Sequence, residues 1–252
     1  LRGIYIAGSG MLAESTRQEV VAENLANALT SGYKRTDAAT QPFQSFLLRN
    51  MAMPGQPEIG SMNMGSEVSR LDIISTQGPL RSTGNQLDLA LVGDGYFAVN
   101  APGGTRYTRD GSFTIDQSGT LVTKEGFAVR GQNGPIKASG TEPIGISTNG
   151  VITQGTRTLG QLQITALDPN SLAKEGASLM TGTPRGNANA SVRQGFLEGS
   201  SVNVVSEMVE LIRVMRSFEA NQKSVQSKVF APETAADRSF FQNMSYKLSG
   251  VI

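Results

Sequence analysis

The sequence predicts a mainly β central domain carried by a discontinuous α-helical coiled-coil domain, which the N- and C-terminal segments form together. Three observations predict it. Residues 202–230 contain neither glycine nor proline and repeat apolar side chains about every 3.5 residues. Residues 4–28 contain no proline, and no glycine after Gly10. Between these ends, short runs rich in Thr, Val, Phe and Tyr are broken by glycine turns, the pattern of sequential antiparallel strands. The expected divisions are an N-terminal helix over 1–35, a β-rich domain over 36–199, and a heptad helix with a tail over 200–252.

The first helix is read from Ile4, Ala7, Met11, Glu14, Gln18, Val21, Leu25 and Ala28, which step by three and four. This stripe has a polar middle, and it runs out near Thr30-Ser31-Gly32, where glycine can take a left-handed conformation. The middle of the chain has the opposite character. Gly95–Asn100 runs into Ala101-Pro102-Gly103-Gly104, and Thr105–Arg109 meets Asp110-Gly111, a hairpin signal. Ser112–Asp116 and Thr120–Lys124 flank the turn residues Gln117-Ser118-Gly119. Strands do not alternate with long helices, so a parallel α/β sheet is not expected. Met51, Met53, Met62 and Met64 are interleaved with Pro and Gly, which marks a flexible loop expected either to order against a neighbour or to remain a disordered surface loop.

The C-terminal helix is read from Val204, Met208, Leu211, Met215, Phe218, Gln222, Val225 and Val229, alternating steps of four and three. Val205, Val209 and Ile212 broaden the apolar face at its start, and Asn203 is available as its cap. Gln222 on the seam weakens the contact while fixing register. Pro232 is expected to break or kink the helix at or before Ala231. A shorter helix from Thr234 would then carry Phe241, Met244 and Leu248 on one side.

Composition removes whole classes of chemistry. The 252 residues include no cysteine and no histidine, so Ser-His-Asp and Cys-His nucleophiles, disulfides and imidazole or thiolate zinc sites are excluded. The 22 basic and 21 acidic residues nearly cancel, which argues against an electrostatic partner such as nucleic acid. No window approaches the roughly 18 apolar residues of a membrane span. The first ten residues lack the continuous apolar stretch of a secretory signal. The chain is therefore expected to be soluble, or exported by a route that does not read such a signal. Gly93-Asp94-Gly95 lacks the third glycine and following helix of a nucleotide loop and reads as a β turn.

Asn24-Leu25-Ala26-Asn27 followed by Thr30-Ser31-Gly32-Tyr33-Lys34-Arg35 resembles the amino-terminal signature of bacterial flagellar axial proteins, the rod and hook subunits. Ser75–Gly78, Thr83–Asn85 with Leu87–Ala90, Gly93–Phe97 and Tyr107–Phe113 are similar to further segments of that family, in the same order. Gly195–Asn203 and Met215–Ala220 fit its carboxyl-terminal part. Each motif alone is weak, and the ordered set is specific. Residues 4–18 look closer to the proximal-rod branch of the basal-body rod family than to the distal-rod branch. The tail after Pro232 departs from the family by running past the usual end of its terminal helix.

The resemblance implies a structural subunit of the flagellar basal-body rod, lying outside the inner membrane and transmitting torque from motor to hook. It implies assembly with copies of itself and with neighbouring rod and hook proteins, after passage through the flagellar export apparatus. The terminal helices would form an inner tube and the β domain an outer layer. The expected subunit interface is Asn24, Leu25 and Asn27 on the first helix, with Val204, Met208, Leu211, Met215, Phe218, Gln222, Val225 and Val229 on the last. Asn24 and Asn27 share one helix face, where their amides can bond backbone or a neighbouring subunit, and Lys34 and Arg35 lie near the negative end of the helix dipole. No catalytic residue, cofactor or metal site is expected, and no nucleic-acid or membrane-embedded partner.

The alternative is an extracellular β protein with helical arms that acts on or binds carbohydrate or peptidoglycan. It needs convergent carboxylates, for which Asp88, Asp94, Asp110 and Asp116 are candidates, or an aromatic platform. Three of these aspartates fall at predicted turns, and the chain has no Trp and five Tyr. A cytoplasmic coiled-coil adaptor is a third reading, and it predicts a discrete oligomer.

Overall fold

A computed structural model describes residues 2–42, 46–48, 60–62, 65–139 and 142–248, with side chains described over 5–42, 65–139 and 142–227. Met51, Met53 and Met64 lie outside the described residues, as does the side chain of Met62. The chain forms two compact units. One comprises Leu1–Ala22, Asp37–Asp72 and Met208–Ile252, and the other comprises Glu23–Thr36 and Ile73–Glu207.

The larger unit is built around the strand Tyr96–Ala101. It pairs antiparallel with Gly104–Thr108, in a hairpin whose last register pair is Ala101 with Gly104. On its other edge it pairs with Ala128–Gly131 and with Ile164–Leu167. Phe97 and Val99 point into one core, with Leu89, Leu121, Val129 and Ile152, where Phe97 meets Phe113 edge to face. Tyr96 and Ala98 point the other way, into a smaller cluster with Tyr107, Leu167 and Met180. Burial on both faces explains why Tyr96-Phe97-Ala98-Val99 is continuously apolar instead of alternating.

The turn residues act as predicted at Gln117-Ser118-Gly119, where Phe113–Ile115 turns back to pair with Leu121–Thr123. Asp116 shapes that turn: its Oδ1 accepts from Ser118 N, Ser118 Oγ and Thr120 N. These bonds, that from Ser118 Oγ foremost, lower its pKa from the usual value. Asp110-Gly111 is a correction. No hairpin forms there, because Phe113–Ile115 pairs with Leu121–Thr123 and not with the preceding strand. Asp110 Oδ1 instead accepts from Ser112 N and Oγ, and Gly111 lets the chain pass where a Cβ would meet Leu89 O at 1.8 Å. Gly93–Gly95 is a bend followed by a strand, with no helix to receive a phosphate.

Two helices dominate the smaller unit: α1, Arg2–Ala26, and α2, Val204–Leu248. They run antiparallel, since Arg17 pairs with Glu210, Glu14 accepts from Ser217 Oγ at 3.1 Å, and Gly10 abuts Asn221. Ala7 and Val21 on the predicted stripe of α1 are buried, and Ala13 and Val20 form a second buried line. The strands Thr36–Pro42 and Ser66–Ile73 make a two-stranded sheet. Among the described residues no helix is long and apolar enough to cross a membrane.

Asn203 caps α2 as expected, its Oδ1 accepting from Ser206 N. The expected break at Pro232 does not occur, because α2 continues unbroken to Leu248. Proline forfeits its own N–H bond, but the stretches on either side are free of glycine and keep the ladder. No separate helix begins at Thr234, and the side chains of Phe241, Met244 and Leu248 lie outside the described residues.

Candidate subunit interface

The last turn of α1 and the first turn of α2 meet in a buried polar cluster within the larger unit. Asn24 is fully buried. Its Nδ2 donates to Thr36 O (2.8 Å) and Glu207 Oε2 (3.3 Å), and its Oδ1 accepts from Thr36 N (3.0 Å) and Tyr33 Oη (3.2 Å). A carboxamide has two donors and two acceptor positions, and all four are filled. By bonding both backbone groups of Thr36, Asn24 fixes where the turn becomes the strand Thr36–Pro42. Glu207 is buried beside it and accepts from Arg35 Nε at 2.6 Å.

A second ionic group lies a few residues along. Lys34 Nζ donates to Glu198 Oε1 (2.6 Å) and Thr76 O (2.7 Å), and both charged side chains are fully buried. Gly78 N also donates to Glu198 Oε1, and Arg109 Nη1 donates to Glu198 Oε2 at 3.1 Å. Burial pushes the Lys34 ammonium below its usual value, and the bond from Lys34 to Glu198 opposes that shift. Backbone bonds run alongside, from Gly32 N to Glu198 O and from Ser201 N to Tyr33 O. Gly32 sits at φ +68°, with the Asp110 amide 2.3 Å from where a Cβ would lie, so only glycine fits.

Tyr33 is buried between these groups. Its hydroxyl pKa is pushed up by burial first and by Glu23 second. Lys174 Nζ lies 3.7 Å from the centre of the Tyr33 ring and 3.9 Å from Glu23 Oε1. Burial brings its pKa down to about 8, with Glu23 opposing.

The expectation that Lys34 and Arg35 serve the helix dipole is therefore corrected: both are held by buried carboxylates. Glu198, Glu207 and Arg109 were not anticipated. A signal was present for one pair, because the amino-terminal signature brings Lys34 and the carboxyl-terminal segment Gly195–Asn203 brings Glu198, whereas Glu207 lies outside the matching segments. Asn27 is half-buried and bonds within its own turn, to Glu23 O and Thr30 Oγ1, and Leu25 is half-buried.

On α2, Leu211, Phe218 and Val225 are half-buried. Val204 (40 %), Met208 (52 %) and Met215 (45 %) are exposed, as is Gln222, and the side chain of Val229 lies outside the described residues. The side of α2 that meets α1 carries Glu210, Ser217 and Asn221. At 100° per residue, Met208, Ile212 and Met215 lie roughly 140–160° around from Glu210. The helix thus has two seams: a mixed polar one toward α1 and an apolar one left in solvent.

Helices that pair through the two chain ends, a histidine- and cysteine-free β unit and an uncovered apolar row describe a structural subunit. Three family profiles match the chain in order: "Flagella basal body rod protein" over 4–34, "Flagellar hook protein FlgE/F/G D1 domain" over 90–154, and "Flagellar basal body rod FlgEFG protein C-terminal" over 193–227. The flagellar basal-body rod protein FlgG of Agrobacterium fabrum is 34 % identical over 253 residues, covering 89 % of this chain and 94 % of that protein. FlgF of Caulobacter vibrioides is 32 % identical over 246 residues, covering 93 % and 96 %. The flagellar hook-basal body complex protein FlhO of Bacillus subtilis is 31 % identical over 265 residues, covering 94 % and 98 %. The chain belongs to the flagellar basal-body rod protein family, whose members are structural components of the flagellar basal body. Nothing in these matches supports the carbohydrate-acting alternative, and overall identity does not favour the proximal-rod branch.

Proposed function

We propose that this rod subunit assembles helically, through its terminal segments, with copies of itself and with neighbouring rod and hook proteins. It transmits torque from motor to hook and performs no chemistry. In this reading the terminal segments 1–35 and 200–252 line the inner part of the rod, the β-rich 36–199 forms its outer layer, and the chain arrives through the flagellar export apparatus. The observation that carries the reading is the row Val204, Val205, Met208, Val209, Ile212 and Met215, large apolar side chains exposed along one stretch of α2. Monomeric proteins rarely leave such a row uncovered. A tube of like subunits needs heterologous contacts that propagate without closing. The test is Met208→Asp with Met215→Asp in cells. Motility and rod assembly should be lost while the purified chain keeps its β unit folded; surviving rods would refute the reading.

A further inference from the structure

A heterologous contact needs two different, complementary patches on one molecule, and the smaller unit carries both. The first is the Met208, Val209, Ile212 and Met215 row of α2. The second is a groove of about 390 Å³ between α1 and the strand Ser66–Ile73. Leu12, Ala13, Val68 and Leu71 give it an apolar lining, and Leu12 and Leu71 are 71 % and 52 % exposed. Resting on the rod-subunit reading, we propose that the groove of one copy receives the Met208–Met215 row of the next copy.

Length, charge and chemistry fit this occupant. The groove follows α1 from Ser9 to Thr16, and the row runs from Met208 to Met215. Both span seven helical steps, about 10.5 Å at 1.5 Å per residue. Arg70 on the groove is matched by Asp72 at 2.8 Å, whereas Glu67, which accepts from the neutral Gln41 amide, has no cationic partner among the described residues and leaves the groove acidic. On α2, Arg213 and Arg216 follow Val209 and Ile212 by one turn and both are exposed; Arg213 lies 3.6 Å from Glu210, so Arg216 is what makes the row's border basic. Unbranched methionines at both ends of the row adapt to an irregular groove.

The absence of native cysteine makes the test clean. Full-length Leu71→Cys and Ile212→Cys chains, both changed at exposed positions, are mixed under mild oxidant at concentrations where the protein associates. The mixed disulfide should form at least tenfold faster than either self-pair, and a chain carrying both changes should give a ladder of multimers. Glu67→Arg should slow the mixed pair, and Arg213→Glu with Arg216→Glu on the partner should restore it. Equal rates for all pairs, a dominant Ile212→Cys self-pair, an intrachain disulfide in the double variant, or joining of Leu71→Cys only to a different flagellar protein would each overturn the proposal. If the aspartate variants of α2 stop rod assembly while these cysteines fail to join, the rod reading stands and only the groove is wrong.

Discussion

Around Asn24 and Glu207 the chain pairs its buried carboxylates internally: a buried amide makes four bonds, and two buried carboxylates are met by Arg35, Lys34 and Arg109, although Thr36 Oγ1 and Arg109 Nε stay without a hydrogen-bond partner. From Met208 onward, α2 faces α1 with Glu210, Ser217 and Asn221 and leaves its methionines and Ile212 in water. Glu207 and Met208 are neighbours on α2, yet the two regions are built on opposite principles. Charge-paired burial fixes a unique arrangement within one chain, while an uncovered apolar row derives stability only from a partner. In the proposed reading, affinity for other subunits resides in the second region, and internal order in the first.

The largest test of this contrast removes a buried partner. Glu198→Ala leaves Lys34 and Arg109 buried without their carboxylate and should cost about 3–5 kcal/mol in a denaturant melt of the monomer. Glu198→Leu combined with Lys34→Met should recover much of that, because an apolar pair avoids the stranded charge. A melt unchanged by Glu198→Ala would mean that the cluster does not hold the unit.

Hydrogen exchange on the dilute monomer sharpens the same contrast. Amides of 24–36 and 198–207 should exchange at least about 100-fold more slowly than those of 9–20 and 208–225, roughly 2.7 kcal/mol at 1.36 per decade. Equal protection would show that the helix pair is stable without a neighbour.

A smaller effect is expected from Lys174. Its folded pKa, about 8, is below the unfolded 10.5, so the unfolded chain binds more protons between those values. Stability should therefore rise with pH from about 8 to about 10, by about 1–2 kcal/mol; above that the raised Tyr33 pKa works in the opposite direction. Lys174→Met should flatten the rise, as followed by melts across that range. Smallest of all, Met208→Asp should change monomer stability by no more than about 0.5 kcal/mol, since the side chain is half in water already.

The terminal helices and the all-β middle were legible because their periodicities are local, and Gly119 and Gly103-Gly104 marked real turns. The continuous helix through Pro232 was not, since the local penalty of one proline is visible and the support of its flanks is not. Asp110-Gly111 looked like a hairpin for the same reason: its true role depends on Leu89, which is distant in sequence. The cluster was legible only by half. Lys34 and Arg35 stood out, but their carboxylates follow 164 and 172 residues later. The seam on α2 was read as one row because a 3.5-residue repeat does not say which of two adjoining faces a partner takes; Leu211, Phe218 and Val225 border both.

Glu207 on the first turn of α2 reaches both Asn24, on the last turn of α1, and Arg35 just beyond it. Drawing these segments apart thus meets one carboxylate at both points, through bonds of 3.3 and 2.6 Å. For a subunit of a rod, such a grip resists slippage without relying on the neighbouring parts to hold it shut.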